Sequence, residues 1–295
     1  MIGTGNFQDA LEPIAIKNYQ VGFKEIPPER DMIFSVKSSK KLTETYLELG
    51  DTGPMNEFTG DMEYEDVQQG YKMTITAREY AKGMKIQKKF VLTDQLDIVE
   101  GLPKLLGLAA RRRIASDTAA ILNDAFNTSY TTIDALQLCS AAHTSNNGGS
   151  SQANRGTTAF SETAVDAARI AMKAFTSNTD EIFEVNPDML VVPRSLEKAA
   201  YELINSSGKV DTANNNTNFH KGKYKLLVLD RLDDANNWFF IDSELMKIFN
   251  VWNNVAPLEF GQAEQFDGLA ARYRAYMFYG FGSRDWRWVF GSEVA

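Results

Sequence analysis

Apolar and polar positions change their period several times along the chain. Residues 1–50, with Pro13, Pro27 and Pro28 among short apolar groups, sustain neither a 3.6- nor a 2-residue period and predict an extended arm. Residues 57–92 differ. The runs EFTGDMEYEDV, YKMTITARE and MKIQKKFVL are rich in β-branched and aromatic residues, and Gly70 and Gly83 interrupt them, which predicts a β-hairpin or small meander. From 93 to 126 the spacing of Leu102, Leu106, Ala110, Ile114, Ile121 and Ala125 is helical, with Thr93 or Asp94 as N-cap and Pro103 as a kink or a second start. Residues 102–126 would make a rod of ~37 Å at ~1.5 Å per residue.

A polar Gly/Ser/Asn-rich stretch over 141–158 then divides the chain. Beyond it, Ser161 is placed as the N-cap of a helix running to about Phe175, with Phe160 and Val165 as a hydrophobic staple. MLVV (189–192) predicts a strand that Pro193 stops, and Ser195 is expected to cap the next helix, with Gly208 past its end. KLLVLD (225–230) and WFFID (238–242) predict two more strands, so residues 161–251 form an α/β unit. The tail is the densest apolar region, with nine aromatics between Phe266 and Phe290. Strict alternation there puts Arg272, Arg274, Tyr276 and Phe278 on one face of a strand and Tyr273, Ala275, Met277 and Tyr279 on the other. One face is expected to pack on the 102–126 helix and the other to be covered by a neighbouring strand or subunit.

Charge adds a constraint. The 295 residues carry 31 basic and 39 acidic side chains, a net −8 shared equally between the halves, which disfavours sequence-independent binding to nucleic acid. Within that even spread one stretch is segregated. Glu57, Asp61, Glu63, Glu65 and Asp66 crowd the first leg of the hairpin, while Lys72, Arg78, Lys82, Lys85, Lys88 and Lys89 follow. Inside one hairpin this arrangement gives weak cross-strand ion pairs; between copies it gives a complementary docking arm. Arg111, Arg112 and Arg113 fan across about 200° of a helix, so at least one points away from the core; an ion pair with Asp117 is the plainest use for them.

Catalytic material is thin. His143 and His220 stand far apart in polar loops, and Cys139 with His143 supplies only half of a structural zinc site. No phosphate-binding loop, HExxH or GxSxG pattern occurs, and Gly280-Phe-Gly282 suits a strand-end turn better than a nucleotide fingerprint. No catalytic, cofactor-binding or metal-ligating residue is assigned, and no enzymatic activity is expected. The single cysteine excludes an intramolecular disulfide, and neither a signal peptide nor an apolar run of ~18 residues is present.

The order of elements, and the stretches FTGDMEYEDVQQGYKMTITAREYAKGMKIQKKFVLTDQLD, LGLAARRRIASDTAAILNDAF, LCSAAHT, NPDMLVVPRSLEKAAYELINS, LLVLDRLDDANNWFFID and RYRAYMFYGFGSRDWRWVFGS, resemble the Hong Kong 97-type bacteriophage major capsid proteins, in particular their Mu-like major head subunit branch. The resemblance spans residues 58–292. It implies an α+β capsid fold: an N-terminal arm (1–50), an extended β-hairpin loop (51–92) lying over a neighbour, the spine helix and connecting loop of a peripheral domain (93–160), an axial α/β domain (161–251) and C-terminal strands of the peripheral domain (252–295). It further implies self-assembly through pentamers and hexamers into an icosahedral shell that encloses double-stranded DNA without sequence-specific binding, in the virion, after assembly in a bacterial host's cytoplasm. Scaffolding, portal and decoration proteins are the implied partners; no membrane and no cofactor is. Two departures stand out. Thr93-Asp94 replaces paired acids after the loop, and no long charged helical segment precedes the fold, which implies a separate scaffolding protein or a pro-segment removed before Met1. An encapsulin-like protein nanocompartment is the alternative on the same fold, and a soluble α/β enzyme a third reading.

Overall fold

The computed structural model describes residues 16–24, 29–51, 69–87, 96–145, 148–208, 217–265 and 270–294, with isolated positions at 55, 57, 58, 60, 64 and 89. Six helices occur in the described residues: α1 (16–24), α2 (Glu29–Ile33), α3 (Leu96–Asn123), α4 (Glu162–Lys173), α5 (Glu197–Asn205) and α6 (Ser243–Phe249). The strands are β1 (Ser35–Ser38), β2 (Thr43–Leu49), β3 (Gln69–Thr76), β4 (Arg78–Gln87), β5 (Arg155–Gly156), β6 (Met189–Val192), β7 (Lys225–Val228), β8 (Trp238–Ile241), β9 (Asn250–Gln265), β10 (Ala270–Ser283) and β11 (Val289–Ser292).

Three sheets organise the molecule. A long four-stranded sheet runs β1-β9-β10-β4, a compact five-stranded sheet runs β5-β11-β8-β6-β7, and β2 pairs with β3 alone. In the five-stranded sheet β6 and β8 are buried along their whole length, as expected of central strands covered on both faces. Helix α4 packs over β8 and β11, and α5 over β6 and β7. Ser161 caps α4 as expected, accepting the Ala164 backbone N–H at 3.2 Å.

The long helix α3 lies under the four-stranded sheet, contacting β10 and β4. Its buried stripe includes Leu106, Ala110, Ile114, Ile121 and Leu122. Pro103 neither ends nor restarts it; the helix is assigned as one span from Leu96 to Asn123 with the proline inside. A proline there removes only one backbone bond near the helix start, which the packing of the remaining turns outweighs. Helix α1 crosses α3 at glycines. A Cβ on Gly107 would lie 2.2 Å from the Tyr19 carbonyl oxygen, and one on Gly22 would lie 2.2 Å from that of Lys104.

Several expectations are corrected. The arm is partly regular: β1 adds to the sheet in parallel with β9, from Ser35 beside Val251 to Ser38 beside Asn254. The strand that pairs with β3 is Thr43–Leu49, inside that arm, while most of 57–66 lies outside the described residues. The returning leg divides at buried Ala77, with β3 pairing to β2 and β4 to β10. Gly280 makes the switch possible, because a Cβ there would come within 3.0 Å of Ala77 Cα. Ser195 does not cap α5; a 3-10 turn (Arg194–Leu196) precedes that helix and the Ser195 hydroxyl donates to the Ala235 carbonyl instead. Strand β11 leaves the C-terminal ribbon to sit between β5 and β8, so both ends of the 155–292 stretch complete the α/β sheet.

Candidate assembly surfaces

Alternation along β10 creates two faces of different chemistry. Tyr273, Ala275, Met277 and Tyr279 are buried toward α3, whereas Arg272 and Arg274 are exposed and Tyr276 and Phe278 half-buried on the other side. The register with β4 sets Lys85 directly opposite Arg272, Gly83 opposite Arg274, and Ala81 opposite Tyr276. On the far flank β9 places Gly261 beside Arg274 and Ala263 beside Arg272. The outer face is therefore a basic strip in which two cations face each other across a strand pair, an arrangement that costs stability unless an anion lies over it. At one end Glu79 and the exposed Glu259, the latter opposite Tyr276 on β9, close the strip, and Glu79 Oε1 accepts the Tyr276 hydroxyl at 2.8 Å.

The buried face is held by a polar hub. Asp117 on α3 accepts from Arg113 at 2.6 Å and from the Tyr279 hydroxyl at 2.6 Å. The Arg113 guanidinium also lies 4.6 Å from the centre of the Tyr80 ring. Tyr80 stacks on Tyr279 at 4.9 Å, and Tyr279 on Trp252 at 4.3 Å, so one aromatic column links β4, β10 and β9. Burial and the Asp117 charge push the Tyr279 hydroxyl well above the usual tyrosine range. For Arg113, burial opposes the charge but Asp117 and Tyr80 outweigh it. The three arginines divide as their spacing requires: Arg111 is buried, Arg112 exposed, and Arg113 paired with Asp117 as expected.

A second buried polar cluster ties the 131–154 segment to the last turn of the chain. His143 Nδ1 lies 2.6 Å from Asp134 Oδ2, and its Nε2 lies 3.0 Å from Asn154 Oδ1. The ring stacks on Trp286 at 4.1 Å with an interplanar angle of 4°. Asn154 also donates to the carbonyls of Leu138, at 2.8 Å, and Val289, at 3.0 Å. Burial raises the Asp134 carboxyl, but the bonds from His143, Thr132 and Leu136 outweigh it and hold the group below its ordinary range. Cys139 is fully buried, and burial pushes its thiol well up. Among the described residues no three His, Cys, Asp or Glu side chains are grouped to hold a metal ion, and no helix is long and apolar enough to cross a membrane.

Of the charged residues singled out in the sequence, Glu57 is exposed, Lys72 is exposed on β3 opposite Leu47, Arg78, Lys82 and Lys85 are exposed on β4, and Lys89 is exposed beyond it. Asp61, Glu63, Glu65, Asp66 and Lys88 lie outside the described residues. The structure brings Lys85 together with Arg272 and Arg274, which belong to the same strip although only Lys85 was counted as a contact residue. Alternation along 272–279 was the signal that could have added them. Near Glu57 three large apolar side chains stand in solvent: Met55 is 100% exposed, Phe58 70% and Tyr64 88%.

A family model described as phage capsid protein matches residues 70–291. No curated protein matches the chain. Among solved structures, the procapsid of bacteriophage JBD30 superposes with a TM-score of 0.55 at 14% identity, covering 99% of this chain and 76% of that one. The capsid of an empty GTA particle gives 0.58 at 15% identity, over 92% and 91%. The capsid of the cyanophage P-SCSP1u gives 0.57 at 10% identity, over 90% and 88%. At these identities the likeness shows a shared fold.

Proposed function

The chain belongs to the phage capsid protein family, and from that membership we propose that it is the major head subunit of a tailed phage or prophage of the Mu-like branch, closing through pentamers and hexamers into an icosahedral shell around double-stranded DNA. The observation that carries this reading is the extent of the family match, 70–291, which takes in α3, nearly all of the five-stranded sheet and three strands of the four-stranded one, and not one local motif. A net charge of −8 suits a wall that must contain DNA without adsorbing it. The likeness of the stretches between residues 58 and 292 to Mu-like head subunits supports the branch. Scaffolding, portal and decoration proteins are the partners of this role, the virion its destination, and the host cytoplasm the place of assembly. The role is structural and requires no catalysis.

The segregated charges serve contacts between copies. Glu57, Asp61, Glu63, Glu65 and Asp66 supply the acidic side, and Lys72, Arg78, Lys82, Lys85, Lys88 and Lys89 the basic side. Electrostatic complementarity of this kind favours encounter and register. Negative-stain micrographs of the purified protein should show closed megadalton particles, which protect DNA from nuclease when made during phage growth. A small oligomer at high concentration would overturn the capsid reading, and closed particles filled with protein cargo would move it to a nanocompartment. Changing Lys82, Lys85 and Lys88 together to Glu should leave folded, soluble subunits that do not close; normal shells would remove the charge assignment.

A further inference from the structure

His143 was expected in a polar loop, yet its side chain is 1% exposed, as is that of Asp134 beside it. What the ring touches fixes where its protons lie, and Asn154 decides the first half. Asn154 Oδ1 accepts the Ser140 backbone N–H at 2.8 Å, while its Nδ2 donates to the carbonyls of Leu138 and Val289. Turning the amide over would set its NH2 group against an N–H donor and its oxygen against two carbonyls, so the surrounding backbone holds Oδ1 toward the ring. That oxygen only accepts. His143 Nε2, 3.0 Å away, therefore carries a hydrogen.

The other ring nitrogen faces a second acceptor. Nδ1 lies 2.6 Å from Asp134 Oδ2, while Asp134 Oδ1 accepts from the Thr132 hydroxyl at 2.6 Å and from the Leu136 N–H at 3.3 Å. A neutral imidazole has one N–H and one lone pair. Beside a carboxylate, either tautomer would turn that lone pair onto an oxygen lone pair in a buried site. The His143–Asp134 pair thus holds one proton more than a neutral ring and a carboxylate. Although burial raises the Asp134 carboxyl, its bonds from His143, Thr132 and Leu136 leave it below its ordinary range, which assigns the proton to the ring. Trp286, stacked at 4.1 Å, offers its π-face to the resulting cation.

The surrounding charges call for the same cation. Burial raises the carboxyl of Glu48 on β2, and the charges of Arg287, Asp285 and Asp134 act on it. Arg287 Nη1 is itself engaged by Asp285 Oδ2 at 2.7 Å. Among these described groups three carboxyls share one guanidinium, so an imidazolium supplies the second positive charge. Three parts of the chain meet at this cluster. Glu48 Oε2 accepts the Tyr71 N–H at 3.2 Å inside the β2–β3 ribbon, and the Tyr71 hydroxyl lies 3.2 Å from Thr144 Oγ1, one residue past His143. Asp285 and Arg287 belong to the turn before β11.

We infer that His143 is a doubly protonated imidazolium in the folded chain, and that its proton latches the β2–β3 ribbon to the 131–154 segment and the 285–287 turn, a latch that opens when the proton is withdrawn. Losing the proton leaves a lone pair against Asp134 or Asn154, so one of the two contacts parts. Repulsion among Asp134, Asp285 and Glu48 then has only Arg287 to offset it, and the backbone that carries Thr144 moves away from Tyr71. A cation that the fold needs contributes its stability on the acid side of its titration and loses it as pH rises. The latch belongs to the single chain and goes beyond the capsid reading.

The full chain, labelled with 15N-histidine and 13C-carbonyl alanine, separates the two histidines, because His143 follows Ala142 and His220 follows Phe219. Magic-angle-spinning NMR at pH 7.5 should show hydrogen on both ring nitrogens of His143; one bare nitrogen would overturn the inference. Hydrogen exchange, corrected for the intrinsic pH dependence of amides, reads the latch itself. From pH 7 to 9.5, protection of peptides over 69–76 and over 138–154 should fall together by about tenfold or more. His143→Gln, which cannot take the charge, should be weakly protected at both pH values without that fall. Constant protection in the wild type, a fall confined to 138–154, or an equal fall in the variant would each remove the latch. If His143→Gln does not fold, the NMR spectrum and the wild-type exchange decide.

Discussion

Tyr279 on β10 donates its hydroxyl to Asp117 Oδ2 on α3 at 2.6 Å, and both groups are buried. A buried carboxylate must keep its partners, because an unmade bond there costs the desolvation of the group. Tyr279→Phe keeps the stacking on Trp252 and Tyr80 and removes only the hydroxyl. It should lower the unfolding free energy by about 1–3 kcal/mol in a denaturant titration, with unchanged slope. No loss of stability would mean that Arg113 alone satisfies Asp117.

The Asp134 carboxyl has a folded-state value below its ordinary 3.8. Such a group contributes stability that is fully present above its unfolded value and is lost as pH falls through the folded one. Asp134→Asn should therefore destabilise the protein at neutral pH, and its deficit against wild type should narrow as pH falls below about 3.8. Thermal unfolding of both proteins across pH 7 to 2.5 reads this directly. A deficit that stays constant over that range would assign the loss to shape and not to charge.

Gly107→Ala places a methyl 2.2 Å from the Tyr19 carbonyl oxygen and 2.8 Å from the Phe23 backbone nitrogen. Backbone cannot yield as a side chain can. The substitution improves the intrinsic helix propensity of α3 by up to ~1 kcal/mol while expelling α1. The expected outcome is a chain of near-normal melting temperature whose 16–24 segment exchanges amide hydrogens and is cut by protease far faster than in wild type. Unchanged protection of that segment would show that the crossing can widen.

Gly291 on β11 has Cys139 Sγ 2.6 Å from where a Cβ would lie, and a Phe126 ring carbon at 2.9 Å. Gly291→Ala is expected to cost about 1–3 kcal/mol by overpacking. Combined with Cys139→Ala it should recover part of that cost, a positive coupling between the two sites. Strict additivity would show that Phe126 alone sets the constraint. In the wild type the buried, raised thiol should react with a thiol reagent only as fast as the region opens.

What was legible in the sequence depended on how strongly burial wrote itself into a pattern. MLVV and WFFI, buried at every position, and the Ser161 cap stood out because nothing else accounts for them. The Arg113–Asp117 pair followed from helical spacing alone. Strand β2 did not stand out: TETYLEL alternates only between half-buried and exposed, because its ribbon is two strands thick and covers little. The charged run 57–66 is the louder signal, yet the strand paired with β3 is β2. β11 was hidden for a different reason. Four residues, one of them glycine, carry no period, and their place beside β8 is fixed by tertiary contacts. The basic strip is half legible, since alternation gives Arg272 and Arg274 a common face while the register with Lys85 needs the fold.

The position of β11 bears on when a subunit becomes usable. It is an inner strand of the five-stranded sheet, yet it follows the other four strands in the chain, so a ribosome-bound chain holds β6, β7 and β8 with the β8 edge open and β5 without a neighbour. The α/β unit reaches its final form only once synthesis has passed Ser292. Products stalled before Ser292 thus lack a finished sheet, and a lattice built from many identical copies admits only chains that have passed it.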